Sequence, residues 1–441
     1  MAYRIDIKLA ACTLSILSAY SIAACANEQS EANGFLDDSH LSAVLRNYFW
    51  HQTGDLGHQR DWEQGMMLNF QSGFTQGLVG VGADAFIYAN ATLDSGSGRT
   101  GGPNLQVDSD GNPTDGYAKG GGSVKLRLSN TVVRAGDLEP VVPVFAVSSY
   151  YLLNQTANGV MFDSKEIQDL TLQGGHFTSG TGLLTTARSG ELGLAYAGVN
   201  TSAIDYLGGV FALSKNFSVS AYASRYEDLM NQYYLNGNYI LTFDDKNSLA
   251  TDFNLYRSID SGQANAGAIN VTAASLSLAY TTGAHTLTLA HVRVMGDQPF
   301  DYAAIGGTAP GVAIGKYSGG IYLANSTEIS DFNGPNERSW QLKYEVNMEN
   351  YGVPGLSLVA KHIYGSNIDG THVNSDSAYY GFYGKNDKEE ETDLSAKYIV
   401  QSGTFQKLAL TFVTSKHTGN QSTAGDNTLA RLVVDYPISF F

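Results

Sequence analysis

Alternation between apolar and polar residues is the feature that most restricts what this chain can fold into. Roughly 18 segments of about 8–12 residues alternate in this way. In "SWQLKYEV", Trp340, Leu342 and Tyr344 fall on one face of a strand, whereas Lys343 falls on the other. The pattern fits two environments: a half-buried strand in a soluble sandwich, or a strand that crosses a membrane with water on its second face.

Composition distinguishes these environments. The chain has 441 residues, of which only 15% are charged, and it contains 49 glycines and 27 tyrosines. Soluble domains carry about 25% charged residues, and a soluble chain of this length would normally divide into several domains. The sequence also lacks an apolar run of about 18 residues that could cross a membrane as a helix. We therefore predict an all-β fold, a transmembrane antiparallel β-barrel of about 18 strands.

The connections between the segments indicate a barrel in the outer membrane of a Gram-negative bacterium. "TTGAH" and "FDDKN" are short and suit hairpins, whereas residues 93–120 and 296–337 are too long for ordinary connections. Short turns on one side and long loops on the other are typical of outer-membrane barrels. The net charge of −16 argues against nucleic-acid binding. Its acidic residues concentrate in 108–115 and 386–393, which we predict to be solvated loops.

The N-terminus predicts export from the cytoplasm. A basic start, an apolar stretch and a small-residue site predict that residues 1–26 are a signal peptide, which leaves residues 27–441 as the barrel domain. Lipoprotein processing with lipidation of Cys25 is the alternative. Cys12 and Cys25 are the only cysteines, so the mature chain of the first interpretation has no disulfide and no cysteine metal site.

Strand parity places charge inside the predicted barrel. A charged side chain that faces lipid at the membrane midplane costs about 2–4 kcal/mol, so the polar face must line the lumen. By this rule the inward cations are Lys125, Arg127, Lys343, Lys361, Lys397 and Arg431. They have two interpretations. They favour anions or carboxylates in the pore, or they pair with the inward Glu345 and Asp435 and only fill the lumen.

Catalytic motifs in the sequence are incomplete. "GSGRTG" is followed by Gly102-Pro103 instead of a helix, and "GVAIGKY" lacks the spacing of a phosphate-binding loop. Asp108, Asp110 and Asn112 have calcium-loop spacing, but Pro113 stands where that loop requires glycine. We predict a channel without enzymatic activity, cofactor or metal. A barrel enzyme of the protease or lipase type and an adhesin are the alternatives.

Ordered blocks along the chain resemble the OprD family of outer-membrane porins. They include "RNYFW", "SGFTQGLVGVGADAF", "GGHFTSG", "GDQPFDY", "LANSTEISDFNGPNERSW", "NIDGT" and "RLVVDYP", and they extend from about Gly34 over nearly the whole chain. The resemblance implies a barrel narrowed by an inward-folded constriction loop, with a ladder of basic residues along its wall. It also implies passive diffusion of small water-soluble nutrients, often carboxylate-bearing ones such as amino acids, and in some members entry of carbapenem antibiotics.

The resemblance assigns the basic ladder residue by residue. The matching positions are Lys343, Lys361, Lys397 and Arg431, with Lys125 and Arg127 in the "VKLRLS" strand. Thr411 and Val413 stand at inward positions where relatives can carry arginines. These two departures weaken the expected preference for carboxylates.

The resemblance also assigns a constriction, or eyelet. "PVVPVFAVSSYYLLNQTANGVMF" resembles the constriction loop, in which Tyr150 and Tyr151 stand where a basic residue is expected. Tyr302, Ser326 and Asp331 resemble the opposite side of the eyelet. The expected partners are small solutes, outer-membrane lipid and lipopolysaccharide, and the barrel-assembly machinery during insertion. The sequence leaves a monomer and a trimer both open.

Overall fold

The computed structural model describes residues 27–94, 101–306 and 320–441, and within these ranges the chain is built mainly of strands. The strands are β1 (His40–Gly54), β2 (Gln59–Gln71), β3 (Val79–Thr92), β4 (Ala118–Leu128), β5 (Thr131–Leu138), β6 (Val141–Val142), β7 (Phe145–Ala146), β8 (Thr156–Ile167), β9 (Leu170–Thr181), β10 (Leu192–Leu194), β11 (Asn200–Thr201), β12 (Ile204–Ser214), β13 (Phe217–Tyr226), β14 (Met230–Thr242), β15 (Asn247–Asp260), β16 (Asn270–Thr282), β17 (His285–Met295), β18 (Ala303–Ile305), β19 (Arg338–Asn347), β20 (Leu356–Asp369), β21 (Lys385–Ile399), β22 (Ala409–Gly419) and β23 (Asn427–Ser439). Three short 3-10 helices are Glu28–Glu31, Met348–Tyr351 and Gln421–Thr423. No helix in the described ranges is long and apolar enough to cross a membrane. The predicted signal peptide, residues 1–26, lies outside the described residues and stays a prediction.

Eighteen of these strands form one closed antiparallel ring. Each pairs with the next barrel strand along the chain, and β1 pairs with both β2 and β23. The closing register is long, because it extends from Ser42 opposite Ser439 to Gly54 opposite Asn427. A closed ring leaves no strand edge unpaired, which a sheet in lipid requires. The predicted antiparallel barrel of about 18 strands is confirmed. The short strands β6, β7, β10, β11 and β18 lie in the connections between barrel strands.

The two ends of the barrel differ in the length of their connections. At one end, two-residue turns join several strands, such as 129–130 between β4 and β5 and 283–284 between β16 and β17. Gly283 has φ +57°, a conformation that favours glycine in such a tight turn. At the other end, residues 139–155 and 296–337 are long connections. By the rule for outer-membrane barrels, the short turns face the periplasm and the long loops face the exterior.

The two faces of the wall follow the predicted parity. Along β19, Trp340, Leu342 and Tyr344 are exposed on the outer surface, whereas Gln341 is buried and Lys343 is half-buried on the inner surface. Outward leucines and aromatic residues in neighbouring strands continue this apolar surface. The outer wall is therefore suited to contact lipid and the inner wall to contact water.

One acidic segment was predicted wrongly. Residues 386–393, expected to form a solvated loop, belong to strand β21, whereas 108–115 does lie in a loop. The prediction failed because this part of β21 is polar on both faces and has no apolar period. Glu391 accepts hydrogen bonds from the backbone amides of Ile329 and Ser330 at 3.1 and 3.0 Å, so loop backbone compensates its burial. The buried inward acids of this strand are Asp387, Glu389, Glu391 and Asp393.

The last two residues complete the closing pair of strands. The Phe440 amide donates to the carbonyl of Leu41 at 2.9 Å, and the Leu41 amide donates to the carbonyl of Phe441 at 3.3 Å. Both phenylalanine side chains are exposed. At the periplasmic end of a lipid-facing surface, they fit the aromatic girdle of an outer-membrane barrel.

Deleting Phe440 and Phe441 should sharply reduce the amount of barrel in the outer membrane. The deletion leaves backbone groups of β1 unpaired at the membrane interface, and each unpaired group in lipid costs several kcal/mol. The measurement is the amount of heat-modifiable barrel in purified outer membranes. F440A/F441A is the control, since it keeps the backbone bonds and should retain more barrel. A normal amount of the deletion variant would contradict this prediction.

Candidate functional site

The connection between β5 and β8, residues 139–155, folds into the barrel. Its first half forms a small hairpin in which β6 pairs with β7. Val144 and Phe145 of this hairpin are almost completely buried. Tyr226 of β13 donates its hydroxyl to the Val144 carbonyl at 2.7 Å, and Tyr256 of β15 donates to the Pro143 carbonyl at 3.0 Å. The inner wall of β13 and β15 thus holds the hairpin through both packing and hydrogen bonds.

The second half of the same loop lies against the opposite wall. Leu152 and Leu153 are buried in a cluster with Tyr48 of β1. Arg46 of β1 donates from Nη1 to the Ser149 carbonyl at 3.2 Å. Strand β1 is the first barrel strand and β13 the ninth of eighteen. The loop therefore crosses the lumen from one side of the ring to the other and narrows it.

The predicted residues of the opposing loop lie together in the structure. Asp331 accepts a hydrogen bond from the Tyr302 hydroxyl at 2.7 Å and one from the Ser326 hydroxyl at 2.6 Å. A third donor, Tyr196, comes from the connection between β9 and β12 and lies 2.8 Å from the same carboxylate. Burial, with the nearby Asp331 charge, raises the pKa of Tyr302 and of Tyr196 well above the ordinary value. Both hydroxyls therefore remain protonated and donate to Asp331.

Arg431 joins this opposing loop to the constriction loop. Its guanidinium lies 3.1 Å from Glu328 and 4.2 Å from the centre of the Tyr150 ring, in cation–π geometry. The Tyr150 hydroxyl donates to the same Glu328 carboxylate. The Tyr151 ring packs edge-on against Tyr150, with ring centres 5.0 Å apart. Arg431 is only 7% exposed, so this residue of the predicted ladder is a structural junction between the two loops.

A buried carboxylate fixes the loop segment that carries Tyr302. Asp301 accepts bonds from the backbone amides of Tyr196, Ala197 and Tyr302 at 2.7–2.9 Å, and from the Tyr379 hydroxyl at 2.9 Å. Burial raises the pKa of the Asp301 carboxyl, although these four donors oppose the shift. Three extracellular connections meet at this residue. Asp301 therefore positions two of the three donors to Asp331.

Lys343, Lys361 and Lys397 lie on the inner wall below Arg431. Lys343 and Lys361 face each other in register across β19 and β20. Lys361 forms an ion pair of 2.9 Å with Asp393, whereas Lys343 lies 3.7 Å from Glu345. Lys397, two residues from the periplasmic end of β21, is exposed and has no ion pair with any residue in the described ranges. These cations line one side of the lumen from the periplasmic mouth toward the constriction.

Lys125 and Arg127 occupy a different part of the wall. Both lie on β4, the fourth barrel strand, whereas β19 is the fourteenth, so they are across the lumen from Lys343. Strands β1, β2 and β3 separate them from β23, which carries Arg431. Lys125 is buried and pairs with Asp84 at 2.6 Å. Arg127 donates to the Gln29 side chain at 2.9 Å and lies 4.2 Å from the ring centre of Phe74. The structure therefore does not bring these two residues into one row with Lys343, Lys361, Lys397 and Arg431.

Comparison with known proteins identifies the architecture. The sequence profile described as outer membrane porin, OprD family, matches residues 33–440. Porin D of Pseudomonas aeruginosa is 44% identical over 418 residues, which cover 94% of each chain. The chain belongs to the OprD family. A more distant relative, the porin-like protein GalP of Pseudomonas putida, is 27% identical over 96% of this chain and 98% of its own.

Solved structures agree with this assignment. A crystal structure of Pseudomonas aeruginosa OprD matches with a TM-score of 0.82 at 42% identity, covering 94% of this chain and 98% of that one. Pseudomonas aeruginosa OccK9 (OpdG) matches with a TM-score of 0.83 at 28% identity, covering 92% and 100%. The protein is therefore an OprD-family porin of the outer membrane, a channel for small solutes and not an enzyme.

Several residues of this OprD-family site were missed by sequence reasoning. Glu328 contacts Arg431, and Tyr196 contacts Asp331. Asp301 accepts hydrogen bonds from the backbone of the two segments that carry Tyr196 and Tyr302. All three lie in long connections whose local sequence has no regular period. Glu328 is 103 residues from Arg431, and Tyr196 is 135 residues from Asp331. The only signal available in the sequence was the presence of acidic and aromatic residues in loops too long for simple turns.

Proposed function

We propose that this OprD-family porin prefers small nutrients that carry a carboxylate, and amino acids in particular. Within that function, Lys343, Lys361, Lys397 and Arg431 form a path for the carboxylate along one wall. Tyr150, Tyr151, Tyr302, Ser326 and Asp331 form the eyelet that the solute must pass. Lys125 and Arg127 contribute less, because they lie on β4, which β1, β2 and β3 separate from the strands that carry this path.

The observation that carries the proposal is the opposite charge across one constriction. Arg431 is the cation nearest the extracellular end of this wall. Asp331 lies in the same loop as Glu328, the carboxylate that pairs with Arg431. A carboxylate has about four acceptor sites, and three hydroxyl donors to Asp331 leave capacity for another donor. An amino acid can therefore present its carboxylate to the wall and its ammonium group to Asp331 at the same time.

Two further features support a preference of moderate strength. Val413 is buried directly opposite Arg431 in register, and Thr411 lies two residues further along β22, so neither position adds a cation. Lys361 is already neutralised by Asp393. Pseudomonas aeruginosa OpdK, 28% identical with a TM-score of 0.82, has been crystallised with vanillate, which supports entry of carboxylates into this type of barrel. Carbapenem-type antibiotics carry a carboxylate as well, and we include them among the solutes admitted.

Liposome-swelling rates test this proposal. Wild-type channels should admit a basic or neutral amino acid faster than its carboxamide and faster than a neutral sugar of equal size. Asp331→Asn should slow the amino acid more than it slows a simple carboxylate, because it removes only the group that meets the ammonium. Asp110→Asn, which neutralises an exposed acid of the 108–115 loop, is the matched control and should leave the ratio unchanged. Equal rates for the acid and its carboxamide would refute the substrate preference.

A further inference from the structure

The outer surface of the barrel carries two arginines that face each other at its extracellular end. Arg293 of β17 and Arg338 of β19 are directly opposite in register, and both are exposed. They point outward, because they share the parity of exposed residues such as Leu289 and Leu342 and not that of the buried Val292. This pair lies on the outside of the wall and is separate from the pore.

The described part of the chain provides no carboxylate partner for this pair. Directly opposed residues have Cβ atoms about 4.5–5.5 Å apart, and like charges at that distance repel each other. Within the described ranges neither guanidinium has a carboxylate within 4.0 Å. The register neighbours on the flanking strands are Ala274 of β16 and Ser366 of β20, which carry no charge. Arg225, which also points outward, differs because Glu227 pairs with it at 2.7 Å.

The height of the pair on the wall is defined by its aromatic neighbours. Two residues nearer the periplasm on each strand, His291 and Trp340 stack with ring centres 4.2 Å apart. Tryptophan is enriched where a membrane protein crosses the boundary between hydrocarbon and headgroups. Exposed leucines, including Leu289 and Leu342, continue below this stack. The two guanidinium groups therefore lie level with the headgroups of the outer leaflet.

A third arginine extends the same side of the wall. Arg257 of β15 points outward and is separated from Arg293 by β16. Its guanidinium donates to the Thr272 hydroxyl at 3.2 Å and to the Asn270 side chain, and it has no carboxylate partner in the described parts of the chain. Three cations with no carboxylate partner among the described residues thus lie on β15, β17 and β19, at the rim of an apolar surface.

We propose that Arg293 and Arg338 bind the phosphorylated headgroup of lipopolysaccharide in the outer leaflet. Guanidinium groups bind phosphate oxygens in a bidentate manner, and one phosphate between the two arginines would remove their repulsion. The acyl chains of the same molecule would lie on the leucines below the His291–Trp340 stack. A lipid-anchored phosphate fits this position better than a free one, because the cations are continuous with a lipid-facing apolar surface.

Native mass spectrometry of the protein purified from outer membranes, with added lipid A, tests the proposal. The probes are bis-phosphorylated lipid A and its fully dephosphorylated form. R293Q/R338Q should bind the phosphorylated form about 30-fold more weakly than wild type, since each basic residue near an anionic surface contributes about 1 kcal/mol. R293K/R338K should retain part of the affinity. R225Q is the matched control, because its arginine already has a carboxylate partner, and its affinity should equal that of wild type.

Three results would overturn the proposal. Equal binding of phosphorylated lipid A to wild type and R293Q/R338Q would remove these arginines from the site. Equal binding of the phosphorylated and dephosphorylated forms would exclude phosphate recognition. Displacement of lipid A by the same concentration of inorganic phosphate would assign the site to a free ion instead. Heat modifiability on gels confirms folding of each variant, and substitution of exposed outward residues should leave it intact.

Discussion

Replacing the constriction loop with a short linker should increase single-channel conductance several-fold. The loop crosses the lumen from β1 to β13 and β15, so its removal clears the narrowest part of the pore. Leu138 of β5 pairs directly with Ala157 of β8, which means that a few Gly and Ser residues can close the gap left by residues 140–154. The wider pore should also lose discrimination, and the swelling rates of charged and neutral solutes of equal size should converge.

Planar-bilayer recording and liposome swelling measure these two effects. The control is a shortened periplasmic turn, residues 401–407, which is exposed throughout and makes no contact with the constriction loop among the described residues. This control should conduct like wild type. Heat modifiability shows whether each barrel has folded. If the folded loop replacement has wild-type conductance, the narrowest point of the pore lies elsewhere.

Removing the weakly paired ladder lysines should shift ion selectivity toward cations. Lys397 has no ion pair in the described ranges, and Lys343 is 3.7 Å from a half-exposed carboxylate. A lysine about 6 Å from a passing carboxylate contributes about 0.7 kcal/mol in water. K343Q/K397Q should therefore slow carboxylate uptake about tenfold while uptake of a neutral solute stays near wild type. The reversal potential in a salt gradient gives the ion selectivity directly.

Two control variants distinguish the effect of charge in the lumen from the effect of the total charge of the protein. K388Q/K416Q removes two outward lysines from β21 and β22, so it changes the net charge equally but not the lumen. K361Q/D393N removes an ion pair as a unit and avoids leaving Asp393 buried without its partner, which would cost about 3–5 kcal/mol. Both should shift the reversal potential less than K343Q/K397Q. An equal shift in K388Q/K416Q would mean that net charge, and not the wall path, controls selectivity.

Strand parity could be predicted because it is a local property of the sequence. The alternation around Lys343 or Arg431 needs only neighbouring residues, and the structure has these strands in the predicted alternation. Residues 386–393 were misassigned because their strand is polar on both faces, and its place in the sheet depends on β20 and β22. Such a segment is identified by its partners and not by its own period.

The site was less predictable than the fold. The family resemblance brought together Tyr302, Ser326 and Asp331, but Tyr196 completes their cluster from another loop. The second interpretation of the ladder, in which its cations pair with Glu345 and Asp435, holds only in part. Lys343 approaches Glu345, whereas Asp435 pairs with Arg46 at 2.7 Å. These pairings depend on which strands become neighbours and how far the loops reach, and no local sequence pattern contains that information.

The attachment of one loop to opposite walls also sets the order in which the pore can form. Residues 139–155 precede β13 and β15 in the chain, yet the loop's hairpin is bonded to Tyr226 and Tyr256 on those strands. Its other half is bonded to Arg46, whose second partner, Asp435, lies on the last strand. A flat or half-built sheet cannot offer both walls to a loop of this length. The narrow passage is therefore created by closure itself, and a nascent barrel acquires its selectivity in the same step that seals it against the membrane.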